Sequence, residues 1–136
     1  MTLSVLADTS YYLALLSPRD ALHASAIAMS RTRREPVITT AWIVQELADG
    51  LSAPMARGAV LRFFETLEAD ENTTLIEPNP GLWRRGLELY SRRVDKAWSL
   101  TDCISFVVMI DREITEALTG DHHFEQAGFR ALLRGA

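Results

Sequence analysis

The sequence predicts an α/β fold in three layers: a central parallel sheet of four to five strands with helices on both faces. Three observations predict it. Short apolar or β-branched runs alternate with longer segments whose apolar residues recur at helical spacing, the pattern of βαβ units. One helical segment, Cys103 to Ile110, is apolar nearly all round and so belongs in a covered, central position. Four acidic residues, Asp8, Glu46, Asp102 and Asp121, stand where a strand feeds a helix. Ligands of open parallel sheets bind beyond the carboxyl ends of the strands.

The elements follow in order. Leu3 to Ala7 reads as a first strand and Thr9 to Leu16 as a helix, stopped by Ser17-Pro18. Asp20 can cap a second helix running to about Arg34. Pro36 to Thr40 is short and β-branched, a second strand. Thr40 caps a helix from Ala41 to about Ser52, with Ile43, Val44, Leu47, Ala48 and Leu51 at helical spacing. Pro54 opens a helix to about Ala69. Thr73 to Glu77 is a third strand, and Pro80 lies near the start of a helix through about Arg92. Ser99 to Asp102 opens the apolar helix. Thr115 to Thr119 is a fourth strand, Asp121 to Gln126 a helical turn, and Gly128 to Leu133 an edge strand. Strand order is not readable here. If the first and fourth strands are neighbours, all four acids reach one rim.

The chain has 136 residues, 48% of them hydrophobic, enough for one domain, 1–136, with a real core. Its single cysteine, Cys103, excludes an internal disulfide framework and a cysteine-based zinc site. The first residues lack the basic and apolar regions of a signal peptide, and no apolar stretch is long enough to span a bilayer, so a cytoplasmic protein without membrane contact is expected. A net charge of −4 argues against bulk attraction to nucleic acid. Thirteen of the fourteen cationic residues are nonetheless arginine, and they cluster: Arg31, Arg33 and Arg34; Arg84 and Arg85; Arg92 and Arg93 with Lys96. Arginine forks match phosphate, although solvated helix faces explain each cluster as well.

Each acid also has an ordinary explanation. Asp8 and Asp121 can cap the helices they precede, and Ser99-x-x-Asp102 resembles a capping box. Glu46 has no capping role, and alone it reads as a surface glutamate. Their joint placement is better evidence, because four unrelated explanations must otherwise coincide. Clustered carboxylates repel each other, and a divalent cation is the common reason for them to converge.

Four segments carry a family resemblance. VLADTS at 5–10, TTAWIVQEL at 39–47, DKAWSLTDCISFVVM at 95–109 and LTGDHHFEQAGF at 118–129 resemble, in order and spacing, the acid-bearing blocks of PIN domains, specifically the VapC-type toxin ribonucleases. The resemblance spans nearly the whole chain. It implies a three-layer PIN-like fold and an endoribonuclease that cleaves RNA with Mg²⁺, or Mn²⁺ in its place, leaving a 5′-phosphate and a 3′-hydroxyl. The family's acids fall on Asp8, Glu46, Asp102 and Asp121. Gly120 and His122 depart from the family's usual residues at the last block. The resemblance also implies the toxin of a type II toxin–antitoxin pair, a cognate antitoxin protein as partner, and a homodimer.

In that reading Asp8 and Asp102 hold the principal metal. Glu46 completes its shell or orients the attacking water, and Asp121 serves a second ion or an outer-shell water. Thr9, Ser10, Thr101 and Thr119 can hydrogen-bond the carboxylates or bound water. Arg92, Arg93 and Lys96 are the candidates for phosphate contact, and His123 for substrate contact. The histidines His23, His122 and His123 show no metal-ligand spacing such as HExxH, which favours surface roles. The apolar residues of the first two helices, Tyr11, Tyr12, Leu15, Leu22 and Ile27, serve either a partner surface or the core.

Two alternatives remain. One is a non-catalytic PIN-fold module that binds RNA or protein. The other is a receiver-like signalling domain, which needs an acceptor Asp after the third strand, where this chain has Glu77-Pro78. It also needs a Lys near the last strand, and the single lysine is Lys96.

Overall fold

A computed structural model describes residues 3–134. Five strands form one parallel sheet: β1 (Val5–Ala7), β2 (Val37–Thr40), β3 (Thr73–Ile76), β4 (Glu116–Leu118) and β5 (Arg130–Ala131). Their order is β3-β2-β1-β4-β5, and every pairing is parallel. The first and fourth strands are therefore neighbours, with Leu6 opposite Ala117 and Ala7 opposite Leu118.

Among the described residues, seven helices connect the strands: α1 (Thr9–Leu16), α2 (His23–Thr32), α3 (Ala41–Gly50), α4 (Pro54–Ala69), α5 (Pro80–Arg92), α6 (Leu100–Asp111) and α7 (His122–Gln126). Parallel crossovers are right-handed. The chain steps one way through β1, β2 and β3, then returns across β1 to β4 and β5, so α1 to α4 lie on one side and α5 to α7 on the other. The packing agrees. Tyr12 of α1 meets Phe63 of α4 edge-on, while Phe106 of α6 meets Trp98, Phe124 and Phe129.

The bounds of α1, α4 and α5 coincide with the sequence expectation, because each has a strong start or stop signal. Pro54 and Pro80 both sit at helix starts, and the Asn79 side chain accepts from the backbone N–H of Leu82. The second helix begins at His23, not just after Asp20. The Asp20 carboxylate instead accepts from the N–H of Leu22 and closes a turn ahead of the helix. β1 begins at Val5, where pairing with β2 starts, and β5 is only two residues long.

Helix α6 is the buried centre of the second layer. All residues from Asp102 to Met109 are buried, while Ile110 is exposed. It packs closely against α5. A β-carbon at Gly86 would collide with Ile104, so this crossing requires glycine. Arg85 grips Asp111 with both guanidinium nitrogens across the same contact.

Tyr11 and Tyr12, which the sequence offered as either partner surface or core, belong to the core, at 6% and 3% exposure. The exposed apolar stripe lies elsewhere, on α5: Trp83, Leu87 and Tyr90, followed by Val94. Spacings of four and three put Trp83, Leu87 and Tyr90 on one helical face, and Val94 lies in the turn just beyond the helix.

Candidate metal centre

The site grows from the carboxyl end of β1. The sheet delivers Asp8 to the rim, where its backbone N–H donates to the carbonyl of Leu118 on β4. Asp8 occupies the capping position of α1, yet its side chain makes no capping hydrogen bond. It turns toward β4 instead. Its Oδ2 accepts from the hydroxyl of Thr119 at 2.8 Å and from that of Ser10 at 3.2 Å. The capping explanation therefore fails for Asp8.

Asp8 is 3% exposed. Burial is the main force on its carboxyl group and, with the neighbouring charges of Asp102 and Glu46 added, raises its pKa to about 7 against the pull of Thr119. Asp102 is also buried. Burial again raises its pKa, with the charge of Asp121 adding to the effect, while the Ser99 backbone N–H and His123 oppose it. The capping box expected at Ser99 is present: the Ser99 hydroxyl accepts from the Asp102 N–H, and Asp102 Oδ2 accepts from the Ser99 N–H. Capping and site are compatible here, since the cap fixes the carboxylate at the mouth of a buried helix. Asp121 caps α7 through the N–H of His123.

Glu46 comes from the second turn of α3, which Thr40 caps as expected by accepting from the Ile43 N–H. It is half-buried, and none of its oxygens accepts a hydrogen bond from the described residues. A cleft of about 310 Å³ gathers Asp8, Glu46, Asp102 and Asp121 with Thr9, Ser10, Ser99 and His123. Thr101, Arg92, Arg93 and Lys96 do not line it, but Ala97 does, directly after Lys96.

The arginines expected to meet phosphate are mostly engaged. Arg93 forks onto Asp95 and lies 4.9 Å over the Trp98 ring, and Arg33 bridges Glu35 and Glu116. Arg92 faces Glu88 at 3.7 Å in an exposed pair, which holds it loosely. Burial lifts the Cys103 thiol to about 11, so this neighbour of Asp102 is no nucleophile at neutral pH.

A hard divalent cation fits the donor set. Carboxylates from three different strand-to-helix junctions converge with hydroxyls around them, and the buried hydroxyl oxygen of Thr9, in the wall of the cleft, has no hydrogen-bond partner among the described residues. The sequence undervalued His123. Its Nδ1 lies 3.0 Å from Asp102 Oδ2 and 3.3 Å from Asp121 Oδ1, tying the two acids together. The one available signal was its position two residues after an acid that caps a short helix.

The model of one protein family, the PIN domain, matches residues 5–130. The chain belongs to the PIN domain family. No sequence among curated proteins matches it. Among solved structures, this PIN domain superposes on Mycobacterium tuberculosis VapC20, described as a sarcin–ricin loop cleaving toxin, with a TM-score of 0.84. The two are 23% identical over 92% of this chain and 95% of that one. FitAcB from Neisseria gonorrhoeae superposes with a TM-score of 0.64 at 18% identity, covering 93% and 94% of the respective chains. At such identities the likeness is one of fold, and it makes the three-layer sheet of this PIN domain a VapC-like architecture. Among the described residues, no helix is long and apolar enough to cross a membrane.

Proposed function

We propose that this PIN domain is a metal-dependent endoribonuclease, the toxin of a type II toxin–antitoxin pair, acting in the cytoplasm. The observation that carries the reading is the convergence of Asp8, Glu46, Asp102 and Asp121, from four separate segments, on one cleft. The matching family model supports it. Asp102 and Asp121 also cap the helices they open, but neither Asp8 nor Glu46 has such a local reason.

Asp8 and Asp102 would hold Mg²⁺, or Mn²⁺ in its place, with Glu46 and Asp121 completing the surroundings. Bound there, the cation would supply Lewis acidity at the phosphate and a more acidic water. The chain's own groups do the positioning. Thr119 and Ser10 fix the rotamer of Asp8 by donating to one of its oxygens. Ser99 and His123 fix Asp102 in the same way. Glu46, without a hydrogen bond from the described residues, is the group able to orient a water and accept its proton. Lys96, directly before the cleft-wall residue Ala97, and Arg92, held only loosely by Glu88, are the groups available to neutralise RNA phosphates.

The α5 stripe of Trp83, Leu87 and Tyr90, with Val94 in the turn beyond it, suits a second copy of the chain, because an exposed apolar row of this size calls for a cover. A groove of about 280 Å³, with Leu15, Met29, Phe63 and Leu67 beside Arg33, Glu35 and Asp70 in its walls, suits a mixed apolar and charged segment of the antitoxin.

The decisive experiment incubates purified protein with RNA and Mg²⁺. The parent cleaves, and Asp8→Asn and Asp102→Asn, both folded by circular dichroism, do not. Full activity in either variant overturns the assignment.

A further inference from the structure

One cluster in the cleft is chemically unlike the rest. Among the described residues, one set of three His, Cys, Asp or Glu side chains brings its donor atoms within 4.8 Å of one another: Asp121, His122 and His123. Both imidazoles turn Nδ1 toward the same oxygen, Asp121 Oδ1, at 3.6 Å from His122 and 3.3 Å from His123. That oxygen already accepts the His123 backbone N–H at 2.9 Å. The His122 distance is too long for a hydrogen bond. His122 is exposed and free to swing into solvent, yet its ring lies against His123 with centroids 4.4 Å apart. Hydrogen bonding accounts for His123 but not for His122.

Metal coordination accounts for both. Ligands held about 2.1 Å from an ion stand roughly 3.0 Å apart at right angles and roughly 3.4 Å apart in a tetrahedron. The separations at Asp121 Oδ1 fall close to those values, and the donor set is two imidazole nitrogens and one carboxylate oxygen. Imidazole suits Zn²⁺, Co²⁺ and similar ions, whereas Mg²⁺ selects oxygen. We propose that Asp121, His122 and His123 form a transition-metal site at the α7 end of the cleft, different in its donor chemistry from the all-oxygen end at Asp8, Glu46 and Asp102 and sharing Asp121 with it. An ion there would take the Nδ1 atom that now faces Asp102, so Zn²⁺ and RNA cleavage would be coupled. The coupling rests on the endoribonuclease reading. The binding itself does not.

The test is calorimetric titration of the full-length protein with Zn²⁺ in saturating Mg²⁺, beside His122→Ala. His122 lies on the surface, so the variant should fold, and circular dichroism checks this. The expected result is Zn²⁺ binding to the parent that His122→Ala weakens at least tenfold, with Mg²⁺-dependent RNA cleavage unchanged in the variant. Equal Zn²⁺ affinity in the two proteins overturns the proposal, as does Zn²⁺ binding to neither. Absent RNA cleavage with the Zn²⁺ difference intact would sink the nuclease reading alone.

Discussion

The hydroxyl of Thr119 donates to the carboxylate of Asp8 at 2.8 Å across 111 residues of chain. This bond exists because β4 pairs with β1. It joins the first residues beyond two neighbouring strands, and it aims Asp8 into the cleft instead of at the helix it precedes. The same hydroxyl accepts from the Asp121 N–H, so one threonine sets the positions of two of the four acids. Thr119→Val keeps the shape and removes both bonds. It is expected to cost about 1–3 kcal/mol of stability and to lower cleavage activity, read by denaturant unfolding and an RNA assay.

Asp8 predicts how metal-free stability depends on pH. Its ordinary pKa is 3.8, and in the fold it is raised to about 7. Between those values the folded protein keeps a proton that the unfolded chain has released. Stability contributed at low pH is therefore lost as pH rises from about 4 through about 7. The loss from this group is on the order of 4 kcal/mol. Thermal melts in chelator should show the decline, and Asp8→Asn should flatten it and melt higher than the parent at pH 8. A parent with no decline across that window contradicts the burial argument.

Divalent cation should restore what burial costs. A ligand that binds the fold alone stabilises it by mass action, and an ionised Asp8 is the better ligand. Mg²⁺ should therefore raise the melting temperature more at pH 8 than at pH 5. An equal rise at both values would place the ion elsewhere.

Glu46→Gln separates chemistry from folding. Glu46 is half-buried and unbonded, so the change should alter stability by less than about 0.5 kcal/mol. Loss of Mg²⁺-dependent cleavage with an unchanged melt is the expected pair of results, and retained cleavage would remove Glu46 from the site.

Gly86→Val tests the crossing of α5 over α6. The added atoms meet Ile104, and overpacking of this kind costs about 1–3 kcal/mol or more. Urea unfolding should detect it, while the same change at exposed Gly81, where space is open beyond the Asn79 side chain, should cost less.

The sequence by itself determined the elements and the acids. Helices α1, α4 and α5 were legible closely because prolines and chain-breaking pairs punctuate them, and these signals act locally. The parallel three-layer class followed from alternation, and the family from four short blocks in order. Long-range pairing decided the rest. Whether Asp8 capped α1 or faced a cleft depended on β4 lying beside β1, and no local pattern encodes strand order. Whether Tyr11 and Tyr12 were surface or core depended on α4 folding back over α1 with Phe63. His122 and His123 showed no ligand spacing along the chain, because adjacent residues on a short helix turn acquire a common target only when Asp121 is held at its N-terminus. Local propensity reaches a few residues in either direction. The cleft is made by contacts more than a hundred residues apart, and only the folded chain closes them.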